Sequence, residues 1–120
     1  MPKIVNLTPH ALNIHKTDGT VETIPASGTV ARLPEKRKDV AVIGGVQISA
    51  VNRGDVIFLP SPQSDTMFVV SALVAEKVQR SDVYSPGPLV RDPDTGQPIG
   101  CQGLTSSLPL FFFDKETKRP

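Results

Sequence analysis

The sequence predicts a mainly β protein: a small antiparallel β-barrel or β-sandwich carrying one short α-helix. Three observations lead there. Apolar residues fall in many short runs, several alternating with period two, as in Leu12-Asn13-Ile14-His15 and Val46–Val51. Turn signals separate the runs: Asp18-Gly19, Pro25-Ala26-Ser27-Gly28, Gly44-Gly45 and Asn52-Arg53-Gly54-Asp55. The 120 residues include 12 Pro but no Trp and one Tyr, a balance that suits many turns rather than packed helices.

Lys3–Leu7 opens as a strand that Pro9 interrupts, because proline lacks a ladder N–H and restricts Thr8 before it. Ala11–His15 and Val21–Ile24 form a hairpin around Asp18-Gly19, and Thr29–Leu33 is a further strand. Pro34–Asp39 is a charged, exposed connector. Val40–Ile43 is apolar throughout and reads as a strand covered on both faces; Val56–Leu59 reads the same way. Val46–Val51 alternates between them, after a Gly44-Gly45 turn. Met67–Ser71 is a strand, and residues 72–79 place Leu73, Val74, Ala75 and Val78 near one helical face. At about two turns, this helix depends on packing against a sheet. Leu89–Arg91 and Pro98–Leu104 pair across the Asp92–Gly96 turn, with Gly100 and Gly103 signalling a bulge or a close backbone approach.

The length suits one domain. Residues 1–106 form it, and residues 107–120 form a Phe-rich extension with a charged, solvated end. With 13 Lys+Arg against 12 Asp+Glu, the chain lacks the concentrated basic surface of a general nucleic-acid binder. One cysteine rules out an internal disulfide framework and favours a reducing cytoplasm. No apolar run approaches the roughly 20 residues that span a bilayer, so no membrane role is expected. No phosphate-binding glycine loop or nucleophile elbow is present, and His10 and His15 lack a metal-ligand spacing. The chain therefore reads as a non-enzyme with no cofactor, and Cys101 as a small buried apolar residue rather than a nucleophile.

Candidate ligand-binding residues centre on element ends, many of them within Met67–Leu104. Arg32, Arg80 and Arg91 offer planar guanidinium forks suited to phosphate; Ser81, Asp82 and Tyr84 lie close to Arg80 in sequence. The bland alternative pairs Arg80 or Arg91 with Asp82 or Asp92. Asn6, Thr8 and His10 either line a pocket or stabilise the bend that Pro9 imposes. Leu110, Phe111, Phe112 and Phe113 are adjacent apolar residues that, in a strand, cannot all face one core; they suggest a subunit contact.

Asn6-Leu7-Thr8-Pro9-His10, the Asp18-Gly19 hairpin, Ile24–Gly28 and Thr29–Arg32 together resemble a family of small uncharacterised proteins encoded by bacteriophages and prophages. The resemblance continues through Val70–Leu104, with its Arg80-Ser81-Asp82-Val83-Tyr84-Ser85-Pro86-Gly87-Pro88 run, and stops before the Phe-rich tail. It implies a phage protein acting in the infected bacterial cytoplasm, with no catalytic residues to carry over. Small phage proteins of this kind include inhibitors and sponges that sequester immune signals, an analogy of class rather than of mechanism.

Two functions stand as expectations. One is a homo-oligomeric counter-defence sponge holding a nucleotide-derived signal, of the cyclic ADP-ribose or cyclic oligonucleotide type. The arginines would contact phosphate, and Asn6, Thr8 or Tyr84 base or ribose. The other is a protein–protein interaction module, either an inhibitor of a host protein or a minor phage assembly component, anchored by the Phe tail.

Overall fold

The computed structural model of the chain describes residues 2–117, with side chains through Phe113. Among these residues ten strands and two helices occur in order. They are β1 (Lys3–Asn6), β2 (Leu12–His15), β3 (Val21–Ile24), β4 (Glu35–Ile43), β5 (Val46–Arg53), β6 (Thr66–Val69), α1 (Ala72–Val78), β7 (Val83–Pro86), β8 (Leu89–Arg91), β9 (Pro98–Gln102), β10 (Leu104–Ser106) and α2 (Leu110–Thr117). The mainly β expectation and the helix near residues 72–79 are both borne out.

The strands form three sheets and no closed barrel: β1-β6-β7-β10, β3-β2-β9-β8, and the separate pair β4-β5. The pairing is mixed rather than wholly antiparallel, because β1–β6, β6–β7 and β2–β9 run parallel. Parallel neighbours need long connections between them, and here α1 supplies one, crossing from β6 to β7.

The first sheet is the middle layer. Phe68 and Val70 point from one face into a core with Leu7, Ala31, Val74, Ala75 and Val83. Val69 points from the other into a second core with Leu12, Ile14 and Cys101. This explains the unbroken apolar run of β6: a strand covered on both faces needs no polar alternation. Cys101 sits in that second core, as a small apolar residue should. Ser71 caps α1 by accepting a hydrogen bond from the Val74 amide at 3.4 Å.

Gly100 shows why the β2–β9 contact excludes other residues. A Cβ there would meet the Asn13 carbonyl oxygen, and the His15 ring at 2.9 Å. The close approach expected from the sequence is thus present.

Five sequence expectations are corrected. Residues 34–39 are not a connector, since β4 begins at Glu35. Val40–Ile43 forms the outer half of that strand, but it is exposed rather than covered. Thr29–Leu33 and Val56–Leu59 are not strands; a single bridge, Arg32 with Ile57, joins them. There the Pro60-Ser61-Pro62 loop comes at once and Phe58 takes a positive φ of 65°, which breaks extended geometry. The Phe tail is helical, not extended, so its neighbouring rings fan around an axis. The side chains of the charged end, residues 114–120, expected to be solvated, lie outside the described part of the structure.

Candidate functional site

The predicted small-ligand residues divide into separate structural roles. Asn6 is almost wholly buried. Its amide donates to the carbonyls of His10 at 2.8 Å and Ile24 at 3.1 Å, and its oxygen accepts from the Thr8 amide at 2.9 Å and hydroxyl at 2.7 Å. That exhausts a carboxamide's useful capacity, so Asn6 and Thr8 lock the bend at Pro9. His10, by contrast, is exposed.

Arg80 is similarly committed. Its Nε and Nη2 grip Asp82 at 2.9 and 2.7 Å, while Nη1 donates to the Pro60 carbonyl at 3.1 Å. The guanidinium beside Asp82 holds that carboxyl below its ordinary range. Arg91 donates to the Gly96 carbonyl at 3.0 Å, closing the β8–β9 turn on another sheet. Arg32 shares a cleft of about 300 Å³ with Thr8 and Val30, so two predicted residues, Arg32 and Thr8, do come together, and it lines another with Phe58; neither cleft includes Arg80 or Arg91. Ser81 is exposed, and Tyr84 is half-buried in β7. The structure therefore does not gather the three arginines into one anion site.

Two other features stand out, and sequence reasoning anticipated neither as a contact surface. The first is an arm. Strands β4 and β5, of nine and eight residues, form a hairpin closed by Gly44-Gly45. Both glycines have positive φ, at 57° and 79°, the geometry of the tight turn that matches strand twist. Among the described residues the hairpin pairs with no other strand. Every residue of β4 is exposed, and β5 is covered only partly, at Ser49 and Val51.

Register assigns the arm two unlike faces. Partners across an antiparallel pair share a face. One face carries Glu35, Arg37, Asp39, Ser49 and Arg53 in a polar ladder interrupted by Val51, with Val42 opposite Gln47 toward the tip: Arg37 contacts Glu35 at 3.2 Å and Ser49 at 3.0 Å, and Arg53 reaches Glu35 at 3.6 Å. The other face carries Ile43 with Val46 and Ala41 with Ile48 toward the tip, then Lys38 and Lys36 nearer the body. A bulge between Asp39 and Ala41 separates those halves. Ile43 is 67% exposed and Val46 60%. The near-symmetric runs around Gly44-Gly45 were the available sequence signal for a hairpin; nothing local revealed that its apolar face would be left bare.

The second feature is a cleft of about 500 Å³ beside β8 and β9. Its lining includes His10, Leu12, Leu89, Ile99 and the buried Cys101. Leu89 and Ile99 remain substantially exposed on strands flanking it. No Lys or Arg is among the lining residues, so the cleft suits apolar side chains better than phosphate. Helix α2 adds a further bare apolar surface: Leu110, Phe111, Phe112 and Phe113 are all exposed, with the last two rings packed edge to face at 5.3 Å.

Among the described residues no helix is long and apolar enough to cross a membrane. Comparison of the chain with protein-family models, with curated proteins and with solved structures finds no match.

Proposed function

We propose that this chain is a non-catalytic protein-binding module of the bacteriophage-encoded kind, working in the host cytoplasm, and that the arm of β4 and β5 is its contact element. The observation that carries this reading is the bare apolar face of Ile43, Val46 and Ile48. A two-stranded ribbon is marginal alone in water, and an amphipathic sheet face ordinarily finds a cover. The exposed Leu110–Phe113 surface of α2 supports the same reading from a second place. A signal sponge has less support, since Arg80 is bound to Asp82 and the cleft beside β8 and β9 has no Lys or Arg in its lining.

The test is a photo-crosslinking amino acid placed at Ile43 in producing, phage-infected cells, with Thr20 on the exposed β2–β3 turn as control. The expected outcome is a covalent protein adduct from position 43 and none from position 20. No protein adduct at position 43, with a compound of a few hundred daltons accompanying the native protein in mass spectrometry, would overturn this reading in favour of the sponge.

A further inference from the structure

Resting on the arm as contact element, we propose that its partner is a second copy of this chain: the apolar tip of each arm seats in the Leu12, Leu89 and Ile99 cleft of the other. Both halves of that contact are present in one molecule. The tip is a convex apolar wedge, with Ile43 and Val46 opposite each other behind a two-glycine turn. The cleft is a concave apolar site with exposed Leu89 and Ile99 in its lining. Exchange of arms between two copies covers all of these residues together and needs no foreign protein.

Size and charge fit the same partner. Stable interfaces use about 20 to 30 residues on each side. One face of the arm, about half of its nine and eight strand residues, together with the cleft residues comes close to the lower end of that number. A compact chain of this length has a radius of gyration of about 14 Å. This chain has 17.6 Å, so its contour leaves material standing away from the body. At a formal charge of +1 per chain, two copies meet without appreciable repulsion. The charged positions are also complementary: Lys36 and Lys38 come after the apolar tip on its own face, and Asp92 and Asp94 come after Leu89 at the end of the β8–β9 hairpin. A reciprocal contact of this kind closes as a two-fold dimer, because the arm-to-cleft interaction occurs twice.

The experiment mixes two single-cysteine additions to the full chain, Val46→Cys and Leu89→Cys, under mild oxidation. Cys101, a free thiol that lines the same cleft, is replaced by Ala in every variant. A disulfide-linked pair is expected from this mixture and not from Val46→Cys with Val21→Cys, which marks the far edge strand of the same sheet. Sedimentation of the unmodified protein should give a dimer. Ile43→Asp should weaken that dimer about tenfold or more. Since Ile43 is exposed within one chain, the variant should keep its fold, verified by unchanged amide-exchange protection in β6 and β7.

A monomer at every concentration, or equal crosslinking to Val21→Cys, overturns the second-copy assignment. If position 43 still captures a different protein in cells, only this assignment falls and the binding-module reading stands. If position 43 captures no protein at all, both fall.

Discussion

Two stretches of this chain are nearly equivalent as sequence and opposite as structure. Met67-Phe68-Val69-Val70 and Val40-Ala41-Val42-Ile43 are each four apolar residues in a row. The first is the centre of the molecule, with Phe68 and Val70 packed under α1 and Val69 packed against the second sheet. The second stands in water, with Val42 65% and Ile43 67% exposed. The difference lies in the path of the chain after each strand. After β6 the chain forms α1 and returns as β7, which covers one face and pairs the strand. After β4 it turns in two glycines and pairs only with β5. Apolar sequence sets the demand for cover; topology decides whether the same chain meets it.

The contrast predicts graded effects. Phe68→Ala should cost about 3–5 kcal/mol, since it removes a fully buried ring and leaves a cavity. Urea unfolding should show this as a large fall in midpoint; a loss under about 1 kcal/mol would mean the middle layer is not the stabilising core. Asn6→Ala should cost about 2–3 kcal/mol, because it strips partners from the buried Thr8 group and the His10 and Ile24 carbonyls. Urea unfolding near that of the parent protein would show that water replaces the carboxamide freely.

Arg80→Ala should cost about 1.5–3 kcal/mol near neutral pH, with its side chain 26% and that of Asp82 18% exposed. The Asp82 pKa is lowered in the folded chain, first by the Arg80 hydrogen bond. Its stabilisation is therefore present above the ordinary carboxylate pKa of about 4 and is lost as pH falls through the lowered folded value. Unfolding measured at about pH 6 and about pH 2 should show the gap between parent and Arg80→Ala narrowing in acid. An unchanged gap would assign the effect to the Pro60 contact instead. Smallest of all, Ile43→Ser should leave the stability of the single chain within about 0.5 kcal/mol. With a dimer present, that comparison must be made at dilution, where a larger loss would show that the arm packs on its own body.

Much of the fold was legible in the sequence. The Asp18-Gly19 and Asp92–Gly96 hairpins, the α1 segment, the apolar role of Cys101 and the tight approach at Gly100 all stem from local chemistry: turn glycines, helical spacing and alternation. Nonlocal features were not legible. Nothing in Lys3–Asn6 shows that it pairs in parallel with Thr66–Val69 rather than with its sequence neighbours. Apolar Phe111–Phe113 reads equally as strand or helix, because a run without polar spacing carries no period. The candidate site suffered most. Side-chain type identified Arg80 as a potential phosphate ligand, but only the fold shows its donors already taken by Asp82 and Pro60.

The ladder β1-β6-β7 and the β2–β9 pairing have a consequence in time. The Gln102 side-chain amide reaches the carbonyl of His15, 87 positions away in sequence, whereas the arm closes around adjacent glycines. Hairpins form in about 1–10 μs, and sheets built from distant segments in milliseconds to seconds. During refolding the arm closes and reopens well before the body that carries its proposed acceptor is formed. Yield on refolding should therefore decline with protein concentration, and dilution should restore it.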